Sequence, residues 1–284
     1  MNHELYPFDP LSGTRDPIPL EDRLSYNILM DDKLTQRFKL LVIGLVAGFA
    51  SAALGIGGGV VMVPFLALFA GFAIHKAVGT SLVSIVPIAL VGLVTHYVMA
   101  SQNIQLLVAA LTTLGSIIGA KFGAALANRL GTRTLQRLLA ALLVLVGLKY
   151  ARILNIPTEA VADTMVYPAL VGLGLLAGSG SALFGIGGGV IMVPVFNLFF
   201  GLTMHQAVAT SLTVIVPTTV AGAVFHRKFG NVDKEALACL IPVALVGAVL
   251  GGYTANSLPG ATLKMIFGFF VIATGLRLLV RKGS

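Results

Sequence analysis

Gly55–Pro64 reads GIGGGVVMVP, and Gly185–Pro194 reads GIGGGVIMVP. Nine of the ten positions are identical at an offset of 130. Downstream, His75–Pro87 (HKAVGTSLVSIVP) aligns at that offset with His205–Pro217 (HQAVATSLTVIVP), with nine matches in thirteen. His96 aligns with His226. Further on the offset drifts by a few residues. Thr134-Leu135 then pairs with Thr262-Leu263, and Gly147-Leu148-Lys149 with Gly275-Leu276-Arg277. A match this long is an internal duplication. Half one covers 38–153, a linker 154–164, and half two 165–282. Residues 1–37 precede the duplication as a polar tail.

Composition sets the medium in which the duplicated unit folds. Of 284 residues, 57% are hydrophobic and 11% charged, against about 25% charged in soluble domains. So little polar surface cannot cover a globule in water, which excludes a soluble fold. Disorder, nucleic-acid binding and a disulfide scaffold go with it. The single cysteine, Cys239, supplies neither an internal disulfide nor a metal site. The formal charge of +8 reads instead as loops held in the cytoplasm. The expected class is an all-α integral membrane protein.

Each half resolves into five apolar elements. In half one they are 38–54, 60–71, 76–100, 103–127 and 134–153. A span needs about 20 apolar residues, so 60–71 is too short to cross upright. Three consecutive glycines, Gly57, Gly58 and Gly59, separate it from 38–54 and weaken a helix, each by about 1 kcal/mol against alanine. The tail lacks a basic segment followed by an apolar run, so it does not read as a signal peptide.

Loop charges give an orientation. Arg129 and Arg133 place the loop after 103–127 inside. Arg227, Lys228 and Lys234 place the loop after the half-two counterpart of 76–100 inside, with the C-terminus. Counterpart elements then run in opposite directions. The expectation is two inverted repeats, each opening with a V-shaped broken helix pair that returns to its starting side. Both termini are expected in the cytoplasm. Lys149, Arg152 and Lys264 run against this bias.

Inverted repeats with broken helices are the pointer to a secondary transporter with a site near the midplane. A break must be buried or line a cavity, because unpaired backbone cannot face lipid. A helix N-terminus carries about half a positive charge, and its free amides bind anions without a charged side chain. Gly57, Gly58, Gly59 and Gly187, Gly188, Gly189 are therefore the candidate substrate-binding segments. Close packing is the competing reading for glycine, and it is preferred for the GxxxG pairs Gly44/Gly48, Gly115/Gly119/Gly123 and Gly247/Gly251. Thr80, Ser81, Thr210 and Ser211 offer hydroxyls to an oxyanion, or bond back within their own helices. His75 and His205 are candidates for coupling or gating, with anchoring at the membrane surface as the alternative. Pro87 and Pro217 should kink their helices, which serves a hinge or packing alone.

From Arg37 to Thr158 there is no carboxylate. Cation carriers often keep a buried acid, so anions are the expected substrates. No cofactor, metal or nucleic acid is called for; the partners are a small anion and the bilayer. Ser179, Ser181 and Cys239 have no evident catalytic partner, which points away from an enzyme. An anion channel, or a uniporter for another small organic acid, shares the acid-poor interior and is the alternative.

The doubled GIGGGxxMVP, each followed by HxAVxTSLxxIVP, resembles the sulfite exporter TauE/SafE family over residues 38–282. The resemblance implies an inner-membrane permease for small sulfur-containing anions or organic acids such as sulfite, sulfoacetate or related sulfonates. It carries a site onto Gly57–Gly59, Thr80 and Ser81, and onto Gly187–Gly189, Thr210 and Ser211. Gly79 precedes Thr80 where Ala209 precedes Thr210, which departs from perfect symmetry.

Overall fold

A computed structural model describes residues 20–129 and 165–280, with four helical positions between them at 134, 137, 141 and 144. The fifth element of half one and the linker thus lie outside the described residues, apart from those four. Nine α-helices are present among the described residues: α1 (Leu20–Leu54), α2 (Gly59–Phe69), α3 (Ile74–Ala100), α4 (Leu106–Arg129), α5 (Val166–Phe184), α6 (Gly189–Leu198), α7 (Met204–Lys228), α8 (Lys234–Ser257) and α9 (Gly260–Val280). No strand occurs among the described residues. α1 begins at Leu20, within the polar N-terminal stretch. Residues 1–39 form one unit and residues 40–284 a second, compact one.

Among the described residues six helices are long and apolar enough to cross a membrane: α1 from Leu34, α3, α4, α5, α7 and α8. The short helices α2 and α6 have 11 and 10 residues. At 1.5 Å per residue each reaches about half the roughly 30 Å hydrocarbon core. Large apolar side chains such as Leu90, Val98, Phe122, Leu176 and Phe269 are exposed. That is unfavourable in water and neutral in lipid. Between helices in lipid the driving force is van der Waals packing, which favours small residues at contacts.

The GxxxG glycines fulfil this role. A side chain on Gly48 would meet the Ala244 carbonyl, and on Gly44 the Leu240 carbonyl. The pairing advances along both helices, so α1 and α8 run parallel. Gly115, Gly119 and Gly123 pack on the backbones of Val171, Leu175 and Ser179 in the same manner, so α4 and α5 also run parallel. The pair α3 and α7 differs. Gly92 neighbours Leu212 and Gly222 neighbours Leu82, so these two counterpart helices run antiparallel.

Candidate substrate site

The chain between α1 and α2 turns through Gly55, Gly57 and Gly58, with φ of 65°, 79° and 74°. Between α5 and α6 it turns through Gly185, Gly187 and Gly188, with φ of 70°, 81° and 82°. These left-handed conformations strain any residue with a Cβ, so glycine is required. Gly58 caps α2, and its carbonyl accepts from the N–H groups of Val61 (3.1 Å) and Met62 (2.9 Å). Gly188 caps α6 in the same way, accepting from Ile191 (3.0 Å) and Met192 (3.1 Å). Neither cap has a side-chain hydrogen bond.

The two breaks meet in the core. A Cβ built on Gly57 would lie 3.1 Å from the Gly187 Cα, and one on Gly187 would lie 3.2 Å from the Gly57 Cα. Gly59 packs on the Gly185 carbonyl and Gly189 on the Gly55 carbonyl, each leaving no room for a methyl group. The two serines join the same cluster by exchanged bonds. Ser81 Oγ donates to Gly185 O (2.8 Å) and lies equally close to Val78 O. Ser211 Oγ donates to Gly55 O (2.8 Å) and lies equally close to Val208 O. Each repeat thus places its serine on the break of the other. All residues from Ser51 to Met62 and from Ser181 to Val190 are buried.

The threonines face away from this centre. Thr80 Oγ1 accepts from the Asp233 N–H (2.9 Å), and Thr210 Oγ1 from the Gln105 N–H (3.1 Å). Each ties the entry of a long helix to the opposite repeat. His75 Nε2 donates to Ala127 O (3.1 Å), and His205 Nε2 lies 3.1 Å from both Ala255 O and Leu258 O. Both histidines hold carbonyls at the C-terminal ends of α4 and α8. Carbonyls at a helix C-terminus are open to side-chain donors, so the contacts have a capping role; the Ala255 carbonyl also accepts from the Leu258 N–H (3.4 Å). Pro87 and Pro217 lie within α3 and α7, which continue through them half-buried.

Sequence reasoning also passes over Asp233, in the loop ahead of α8. In the structure it caps α8 by accepting from the Ala236 N–H (3.0 Å) and pairs with Lys76 of the other repeat (3.1 Å). Burial pushes its carboxyl up, but the Ala236 N–H, the Lys76 ammonium and the Glu235 N–H more than offset this and hold it below the usual carboxylate value. His96 Nε2 donates to Ala52 O (2.9 Å) and His226 Nε2 to Ala182 O (2.8 Å). They fasten the last turns of α1 and α5 just ahead of the breaks. The 130-residue offset that pairs His96 with His226 also pairs Ala52 with Ala182.

Six candidate spans among the described residues, with two buried, glycine-broken helix ends, define a multi-pass membrane protein. The family described as sulfite exporter TauE/SafE matches residues 22–150 and 170–284, so the chain belongs to that family. It is 28% identical over 264 residues to the probable membrane transporter protein YunE of Bacillus subtilis, covering 84% of this chain and 96% of that protein. It is 29% identical over 247 residues to the probable membrane transporter protein YdhB of the same organism, covering 84% and 97%. A probable membrane transporter protein of Haemophilus influenzae is 33% identical over 119 residues, covering 39% of this chain and 45% of that protein. No solved structure matches the chain. The protein is a membrane transporter of the TauE/SafE family.

Proposed function

We propose that the protein is a secondary transporter that moves a small anion across the inner membrane by alternating access. The substrate class is a sulfur-containing oxyanion or an organosulfonate, such as sulfite or sulfoacetate. The observation that carries this reading is the meeting of two glycine-capped helix N-termini, Gly58 on α2 and Gly188 on α6, in one buried cluster. Each end concentrates amides and positive dipole where a side chain would block approach. The antiparallel course of α3 and α7 supports an inverted pair of repeats. In such a pair one central site can open to either face as one repeat moves against the other. The binding segments are Gly57–Gly59 and Gly187–Gly189, framed by Ser81 and Ser211, with Thr80 and Thr210 holding the frame. The family's description and the acid-poor interior support this substrate class.

Flux in proteoliposomes tests the reading. Sulfite uptake should saturate, be competed by sulfonates and be accelerated by sulfite on the opposite side. Linear flux without that acceleration points to a channel instead. Topology has its own test. In a Cys239→Ser background, single cysteines at Ser101 and Lys228, at or beside the C-terminal ends of α3 and α7, should label from opposite faces. Labelling of both from one side sinks the inverted arrangement.

A further inference from the structure

Twelve serine and threonine residues are buried among the described residues, and nine of them have a hydrogen-bond partner. The three without one are Ser51, Thr112 and Ser181. Thr112 is unrepeated, since the residue at its place in α8 is the apolar Leu240. Ser51 and Ser181 stand at the same place in the two repeats, 130 residues apart. Both are fully buried, at 0% exposure. Buried polar atoms are nearly always paired, so an orphan that recurs in both repeats points to a missing partner.

The surroundings say which kind of partner. Ser51 lies in the last turn of α1, facing the cap of α2. A Cβ built on Gly58 would lie 3.2 Å from Ser51 Cβ and 2.8 Å from Ala47 O, one turn earlier. In the other repeat a Cβ on Gly188 would lie 3.0 Å from Ala177 O, the counterpart of Ala47, and Ser181 is one turn beyond Ala177. The first N–H groups of α2 and α6 have no acceptor within their own helices. Ser51 therefore stands beside a positive helix end, the repeat gives Ser181 the equivalent position, and a hydroxyl can donate as well as accept. An oxyanion completes both sets at once. The position is also rigid, since His96 and His226 hold the carbonyls of Ala52 and Ala182, the residues next to each serine.

We propose that Ser51 and Ser181 are anion-binding hydroxyls, one beside each glycine-capped helix end, donating to an oxygen of a sulfite, sulfonate or carboxylate group. The assignment rests on the anion-transport reading above and adds to it the side chains that touch substrate. It also separates these serines from Ser81 and Ser211, whose hydroxyls are engaged in joining the repeats.

The test uses the full-length protein in detergent, with sulfite, methanesulfonate and acetate as probes and chloride as the control. Melting temperature is measured with and without each probe, and Kd by calorimetry. Ser51→Ala and Ser181→Ala should leave the ligand-free melting temperature unchanged or raised, because the group removed has no partner. Each should weaken binding of the probe that wild type binds by about tenfold, the loss expected for a hydrogen bond to a charged group. The double variant should lose the ligand-induced shift. Ser81→Ala, run alongside, should lower the ligand-free melting temperature. Wild-type affinity in the Ser51 and Ser181 variants overturns the assignment while leaving anion transport standing. A ligand-free loss of stability matching that of Ser81→Ala makes the serines structural and also overturns it. Failure of wild type to bind any of the probes overturns the anion reading, and this assignment with it.

Discussion

The centre and the rims of the duplicated body obey different rules. At the centre the two repeats exchange matched contacts: Ser81 on Gly185 and Ser211 on Gly55, Gly59 on Gly185 and Gly189 on Gly55. At the rims the same positions diverge. Where α3 begins, Lys76 pairs with Asp233, and Gly79 packs against the Asn231 carbonyl. Where α7 begins, the counterparts are Gln206 and Ala209, and the amide held by Thr210 belongs to Gln105, not to an aspartate. Gln206 closes a capping box with Thr203 inside its own repeat instead of reaching across. The matched contacts make the two breaks chemically equivalent. The rims are not: among the described residues the ion pair stands at the start of α3 and has no counterpart at the start of α7.

The largest effect expected from this comparison falls at the centre. Gly59→Ala and Gly189→Ala each drive a methyl group into a backbone carbonyl of the opposite break. Backbone cannot rotate aside as a side chain can, so each should cost about 3 kcal/mol, the upper part of the overpacking range. Thermal melts of the two variants should agree closely. Wild-type stability in either would mean the breaks are not packed against each other.

Ser81→Ala and Ser211→Ala probe the same exchange more gently. Each removes one hydrogen bond to a buried carbonyl, worth about 1 kcal/mol in protein interiors and somewhat less between membrane helices. The two losses should match within a few tenths. A large loss for one and none for the other would break the equivalence of the repeats.

The contrast between centre and rim also marks how far the sequence could be read. Element positions were legible, because apolar length and glycine breaks are local properties. The expected elements at 60–71 and 76–100 correspond to α2 and α3. Glycine spacing likewise revealed the close contacts at Gly44, Gly48 and Gly119. Partners were not legible. Thr80 and Asp233 are 153 residues apart, and Ser211 and Gly55 are 156 apart. Nothing in either segment says that the hydroxyl reaches across the repeat and not back along its own helix. Ser51 was hidden for a related reason. A serine in an alanine-rich helix ordinarily bonds the carbonyl four residues earlier, and only the folded arrangement reveals one that does not.

The smallest effect belongs to the rim. Asparagine caps a helix about as well as aspartate, so Asp233→Asn keeps the Ala236 contact and removes the charge. The pair is partly exposed, with Lys76 at 48% and Asp233 at 20%, so solvent screening limits it to about 1 kcal/mol or less. Its pH dependence has a definite sign. The Asp233 carboxyl lies below its ordinary value of 3.8 when folded. A depressed acid stabilises the folded state fully above that ordinary value, and the contribution is lost as pH falls through the lower folded value. The stability gap between wild type and Asp233→Asn should therefore be flat near neutral pH and close on acidification. High salt should shrink it further, since a partly exposed pair is screened. No counterpart substitution at Gln105 should show either dependence. If Gln105→Ala gave the same pH-dependent gap, the rims would be equivalent after all, and the ion pair would not be what sets them apart.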